Sequence, residues 1–234
     1  MPVTEPALIA EARRRARRVV TAGLGAGDVR ADAHGINADG TGWLQLGGVR
    51  VQVPLRGAHN LRNAMLALAT AREFGIAMDD AARGIAAMPQ PPMRSAVEPL
   101  GAALLLNDAY NANPGSARAA IELLTAVGVG RQRVIVLGTM RELGTAAAVM
   151  HREIARAALA SGADVVAGIG DFRAALEAEG AGDPRVVLGG DVDDLWPVLQ
   201  LRLQPDAAIL LKASRGVRLE RLLPHLTAWA AASA

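Results

Sequence analysis

Val134-Ile135-Val136-Leu137-Gly138-Thr139-Met140-Arg141-Glu142-Leu143-Gly144 is the stretch that decides the fold. Four consecutive apolar residues run into a glycine and then a polar cluster. A strand with no solvent face belongs to a parallel sheet covered by helices on both sides. The same texture recurs on either side. Residues 103–106, 165–169, 185–188 and 208–211 read as further buried strands. The spacing predicts helices over about 115–127, 147–161, 172–179, 192–203 and 219–231. Strands alternating with helices imply βαβ units and a doubly wound α/β sheet.

Upstream the texture changes. Residues 7–18 read as a short helix rich in Ala and Arg, and Val19 and Val20 then begin a strand. From 29 to 54 short alternating strands are separated by Asn37-Ala38-Asp39-Gly40-Thr41-Gly42 and by Gly47-Gly48, a small antiparallel meander typical of an edge added to a larger sheet. A helix over about 59–74 carries Leu61, Met65, Leu66, Leu68 and Ala69 at helical spacing, with Gly75 suited to end it. A second helix covers about 79–88. Pro89-Gln90-Pro91-Pro92 then interrupts regular structure and places a domain boundary.

The 234 residues are 51% hydrophobic but only 3% aromatic, so the core is aliphatic. No apolar run reaches the roughly 20 residues of a membrane span. The first ten residues lack a basic segment ahead of an apolar one, so a cytoplasmic, non-membrane protein is expected. The absence of cysteine excludes disulfides, thiolate metal sites and a cysteine nucleophile. The formal net charge is only +2, and the densest basic run, Arg13, Arg14, Arg15, Arg17 and Arg18, has no aromatic stacking residues beside it. It reads as a solvated helix face, with no nucleic acid expected. Gly23-Leu24-Gly25-Ala26-Gly27 is glycine-rich but leads to a strand at Val29, which is the wrong context for a phosphate loop.

Ligands of open α/β sheets bind beyond the carboxyl ends of the strands. Three polar clusters fall there: Asn107-Asp108-Ala109-Tyr110-Asn111-Ala112-Asn113-Pro114-Gly115-Ser116, Gly138 to Gly144, and Leu211-Lys212-Ala213-Ser214-Arg215-Gly216. A fourth, Gly57-Ala58-His59-Asn60-Leu61-Arg62-Asn63, opens a helix with Asn60 as a good cap. A helix cap and a polar loop explain Asn113 and Pro114, but not an Asp, the only tyrosine and three Asn packed so closely. Lys212, the only lysine, reads either as an anion contact or as a strand-end side chain snorkelling to solvent. The four histidines show no metal-ligand spacing.

In order, these clusters resemble the Mur ligases, and within them the branch that joins D-alanyl-D-alanine to UDP-N-acetylmuramoyl-tripeptide. The Tyr110-Asn111-Ala112-Asn113-Pro114 string is the most specific marker, and the resemblance runs from about Val19 to Leu226. It implies that residues 1–90 match the C-terminal part of the central ATP-binding domain, and residues 91–234 the C-terminal Rossmann-like domain. It implies ATP and Mg²⁺ as cofactors of the complete enzyme, an acyl phosphate intermediate and a monomer. His59, Asn60 and Asn63 would lie on the adenine side of ATP. Arg94 and Asp108 would reach the nucleotide. Tyr110, Asn111 and Asn113 would shape the loop that meets nucleotide and dipeptide. Ser214 and Arg215 would lie near the dipeptide or the phosphates. No catalytic residue is assigned.

The family's phosphate-binding loop carries a lysine, and Lys212 stands far downstream of any such position. The missing N-terminal and phosphate-loop regions would be partners of this chain, and the chain alone is expected to be inactive. Thr139 stands where the family usually has Asp, Met93 where Gly precedes the arginine, and Ala213 where Gly is common. Two other functions fit the same residues: a sister ligase for another amino acid or for folate-type glutamate chains, and a non-catalytic binding module that kept the fold.

Overall fold

The computed structural model describes residues 1–89, 93, 94 and 96–232. The chain divides into two compact units, Met1–Gln90 and Pro91–Ala234. The Pro89 to Pro92 punctuation falls at this division, and Gln90, Pro91 and Pro92 lie outside the described residues.

The first unit begins with α1 (Pro6–Arg15), in which Arg14 and Arg15 both pair with Glu11 on an exposed face. β1 (Ala22–Gly23) and β2 (Val29–Arg30) form a two-residue parallel pair, so the strand expected at Val19 and Val20 starts later. Its position is set by the Met1 to Val3 segment, which bridges to Ala22 and uses its backbone groups. The glycine-rich stretch is the connection between these strands. It is closed by Asp28, whose carboxylate accepts from both the N–H and the hydroxyl of Thr21 at 2.8 Å.

β3 (Ala33–Ile36), β4 (Gly42–Leu46) and β5 (Val49–Val53) form the expected meander. Among the described residues it is a sheet of its own, not the edge of a larger one. Gly47 (φ +58°) and Gly48 (φ +84°) make the two-residue turn between β4 and β5. Two successive positive φ values match the strand twist there and suit glycine best. α2 (Ala58–Glu73) lays Leu61, Met65 and Leu68 onto Leu44, Val51 and Val53, all essentially solvent-free. Gly75 ends α2 in a left-handed conformation (φ +71°). The N–H groups of Gly75 and Ile76 return to the carbonyls of Arg72 and Ala71, a Schellman closure. α3 (Met78–Ala86) follows.

The second unit is a six-stranded sheet. Its strands are β6 (Ala96–Leu100), β7 (Ala103–Asp108), β8 (Arg133–Leu137), β9 (Val165–Gly168), β10 (Val186–Leu188) and β11 (Ala208–Lys212). The spatial order is β10-β9-β8-β11-β7-β6, parallel except for β6. β6 has no counterpart in the sequence reading. It carries Pro99 and exposed Glu98, and as an edge strand it tolerates a residue with no N–H to donate. The connecting helices are α4 (Pro114–Val127), α5 (Ala147–Ala160), α6 (Asp171–Glu179) and α7 (Val192–Leu199), and α8 (Leu222–Ala232) ends the chain.

Alternate strand residues feed opposite cores. Leu106, Ile135, Leu137, Val166 and Leu210 pack with α4, α5 and α6. Leu105, Val134, Val136, Ala167, Ile209 and Leu211 pack with α7 and α8. Both faces are therefore dry, which is why these strands read as unbroken apolar runs. β11 inserts between β7 and β8, so the chain winds outward from β7 through β10 and then returns to the middle. In open α/β sheets ligands bind at such a reversal, here beyond the carboxyl ends of β7, β11 and β8.

Candidate functional site

Lys212 and Asp108 end β11 and β7 and stand opposite each other in register. Lys212 is 2% exposed, so it is buried and does not snorkel. Its Nζ donates to Asp108 Oδ2 at 2.5 Å and to the Asn111 carbonyl at 2.8 Å. Burial pushes the Lys212 pKa below its ordinary value, while the Asp108 carboxylate pulls it back up and Arg94 adds a further lowering push. The pair is a strut: one ammonium ties the strand end to the start of the 108–113 loop, with Asp108 compensating its charge.

The rest of that loop is bonded residue by residue. Asn107 Oδ1 accepts from the Ala109 N–H at 3.4 Å, and Asn111 Oδ1 from the Ala112 N–H at 2.9 Å. Asn113 caps α4 through the Ser116 N–H at 2.8 Å, Ser116 Oγ accepts from the Asn113 N–H, and Pro114 fills the first turn. Asn113 is accordingly held in the helix cap, while half-buried Tyr110 and exposed Asn111 form the part of the loop ahead of it.

Tyr110 carries two guanidinium groups on its ring. Arg94 Cζ lies 4.5 Å and Arg215 Cζ 5.3 Å from the ring centroid. Both arginines are exposed, and neither has a carboxylate partner among the described residues. Stacking orders a guanidinium while leaving its N–H edge available for an oxyanion.

A third arginine belongs to the same loop cluster. The Arg141 N–H donates to Ser214 Oγ at 2.9 Å, and its guanidinium donates to the Gly216 carbonyl at 3.2 Å. A Cβ at Gly216 would meet only the Arg141 guanidinium, the far end of an exposed side chain that can move aside. The 138–141 segment is held at every residue. Gly138 donates to the Lys212 carbonyl, the Thr139 carbonyl accepts from Ser214, and Met140 donates to the buried His151 ring. Thr139 Oγ1 accepts from the Asp171 N–H at 2.9 Å, so it caps α6 from another loop. An acceptor is what that position needs, and Thr supplies it in place of Asp.

The structure thus brings together Arg94, Asp108, Tyr110, Asn111, Ser214 and Arg215. His59, Asn60 and Asn63 lie in the other unit, on the first two turns of α2. The cap of α2 is Gly57 (φ +91°), not Asn60. Asn60 sits three residues inside and donates to the Arg56 carbonyl at 2.8 Å, while the amide of exposed Asn63 donates to Asn60 Oδ1. Thr139 and Arg141 fall in the Gly138 to Gly144 cluster but were given no role, and His151 was passed over, because what ties them to the site is their bonding across separate segments. Among the described residues no group of three His, Asp or Glu gathers as a metal site, and no helix is long and apolar enough to cross a membrane.

The second unit is a doubly wound α/β domain with a cationic loop cluster at its strand ends, and similarity defines its family. Residues 93–215 match the Mur ligase, glutamate ligase domain. The chain belongs to the Mur ligase family. It is 35% identical over 179 residues to the UDP-N-acetylmuramoyl-tripeptide–D-alanyl-D-alanine ligase of Bacillus subtilis, covering 74% of this chain and 39% of that one. The crystal structure of MurF from Acinetobacter baumannii superposes with a TM-score of 0.84 at 27% identity, covering 97% of this chain and 51% of that one. MurF from Thermotoga maritima in complex with ADP shares the fold, with a TM-score of 0.78 at 23% identity. The chain spans about half the length, or less, of these relatives.

Proposed function

We propose that this chain is the nucleotide-closing half of an ATP-dependent ligase that joins D-alanyl-D-alanine to UDP-N-acetylmuramoyl-tripeptide. The observation that carries the reading is the Arg94–Tyr110–Arg215 platform at the sheet's reversal point. Two ordered cations without acidic partners among the described residues suit phosphate or carboxylate oxygens, and ATP, an acyl phosphate and a dipeptide all present these. ATP supplies the phosphoryl group that activates the substrate carboxylate. On this chain Arg94 and Arg215, both in the second unit, offer charge to the nucleotide. Asp108, engaged by Lys212, holds the loop that presents Tyr110. The residues here fit a nucleotide but offer no acidic cluster for Mg²⁺ among those described, so the metal's ligands are assigned elsewhere in the enzyme. The chain alone is inactive on this reading, because the phosphate-loop lysine lies outside it.

The Tyr110 to Pro114 string, held as a capped loop, favours the dipeptide ligase over a sister ligase for a single amino acid. The test is calorimetric titration of ATP, with Mg²⁺, into this chain and into a version extended upstream through the phosphate loop. Tight binding only in the extended form, followed by ligation of D-alanyl-D-alanine, supports the reading. A preference of the extended enzyme for one amino acid over the dipeptide would sink the substrate assignment. Failure of both forms to bind would favour a non-catalytic module. In the extended form, Arg94→Ala is expected to weaken ATP binding roughly tenfold or more, the usual size of a lost charge-assisted bond.

A further inference from the structure

His151 is 1% exposed and sits one turn into α5, behind the 138–144 loop. Both ring nitrogens are engaged. The Met140 N–H donates to Nε2 at 2.8 Å, and Nδ1 lies 2.7 Å from the Ala147 carbonyl. A backbone amide only donates and a carbonyl only accepts. Nε2 is therefore the bare nitrogen and Nδ1 carries the proton, which makes the imidazole neutral and fixes its tautomer. Phe172 packs on the ring at 4.7 Å with an edge-on tilt, and the Asp171 carboxylate is the charged group facing Nε2, at 3.9 Å.

The consequence falls on the next residue. Met140 is itself buried, so an unpaired N–H there is costly, and His151 provides its acceptor. With the Met140 backbone set, Arg141 leaves the loop with its N–H on Ser214 and its guanidinium on Gly216, beside Arg215. Glu142 (φ +64°) and Gly144 (φ +57°) then turn the chain toward α5. An apolar side chain could fill the same volume but could not orient that backbone.

We propose that His151 is a positioning residue: as a neutral, Nδ1-protonated imidazole it sets the Met140 backbone and thereby aims Arg141 at the Ser214–Gly216 loop of the anion-facing surface. Its role in turnover rests on the ligase reading above, whereas its hold on the loop does not. The first test is long-range ¹H–¹⁵N spectroscopy of the His151 ring in the unmutated chain. A bare Nε2 is expected, and a proton on Nε2 overturns the proposal whatever the variants do.

Two variants then separate positioning from filling. His151→Gln can place a carbonyl oxygen near the Nε2 position, while His151→Asn is one bond shorter and reaches only that of Nδ1. Hydrogen exchange at the Met140 and Arg141 amides is expected to be about tenfold faster or more in the Asn variant than in the Gln variant, with β8 unchanged. Equal exchange in the two overturns it. In the upstream-extended enzyme, His151→Asn is expected to lower kcat about tenfold or more, with His151→Gln restoring most of it. An unaltered kcat in the Asn variant removes the role in turnover. If no form of the extended enzyme ligates while the ring and amide signatures hold, the ligase reading fails and the hold on the loop stands.

Discussion

Lys212 illustrates how one side chain changes meaning with its surroundings. In the sequence it is a lone lysine after a strand, open to either an anion or water. In the fold its ammonium has three oxygens, two from Asp108 and one from Asn111, and almost no solvent. Removing one partner of a buried pair leaves the other charge uncompensated, so Lys212→Met is expected to destabilise the second unit by about 3 kcal/mol in urea unfolding. Replacing Asp108 with Leu in the same background should recover much of that loss, and no recovery would show that the pair is not coupled. Arg218 is a simpler case. It is exposed and sits at φ +59°, ψ +39°, where an L side chain is disfavoured and glycine is not. Arg218→Gly should raise stability by up to about 1 kcal/mol, visible as a higher Tm. Met93 adopts φ +58°, the conformation that explains the family's glycine at that place. Unlike Arg218 it also packs against the α7–α8 core, so its replacement has opposing effects.

At the scale of elements, caps and close approaches decide where helices begin and how near they lie. Asn113 closes a reciprocal cap on α4 with Ser116, and Asn113→Ala should cost about 1 kcal/mol and loosen the 110–113 loop, read by amide exchange in the first turn of α4. Gly189 lets β10 run directly into α7: a Cβ there would stand 2.7 to 2.8 Å from the backbone N and Cα and the Cβ of Leu195. Gly189→Ala is expected to destabilise by about 1–3 kcal/mol, because backbone cannot move aside as a flexible side chain can. The helices of the second unit were legible in the sequence because their apolar periodicity is local, as is the Asn113 cap of α4. The start of α2 was misread: Asn60 has the right chemistry for a cap, but the tight turn at Gly57 took the position. β6 was missed because its pairing partner, β7, supplies the order that its own Pro99 and Glu98 do not.

Over the whole molecule, stability is unevenly distributed. The six-stranded sheet is sealed on both faces, whereas β1 and β2 are two residues long and most of β3 is exposed. Native-state hydrogen exchange should therefore be fastest within residues 1–56, since short strands with open edges leave backbone groups to water. Uniform protection along the chain would contradict this. The first unit should also be acid-sensitive through Asp28, whose carboxyl is held below the ordinary 3.8 chiefly by the Thr21 N–H and hydroxyl. A carboxylate with a depressed pKa contributes stability that is fully present above pH 3.8 and is lost as pH falls through its lowered value. Asp28→Asn should flatten that acid limb in thermal melts taken below pH 4.

The sequence by itself determined the alternation of buried strands and helices, the division near Pro89 and the loops that hold the polar clusters. Those properties follow from periodicity, from proline and glycine, and from strand ends, all written within a few residues of each other. Only the tertiary structure decided that Lys212 belongs to Asp108, that Arg94 and Arg215 share Tyr110, and that His151 governs Met140. These partners are separated by 11 to 121 residues, and a hydrogen bond or a stacked ring depends on distance in space: the order β10-β9-β8-β11-β7-β6 sets Lys212 beside Asp108, and the packing of α5 behind the loop after β8 sets His151 beside Met140.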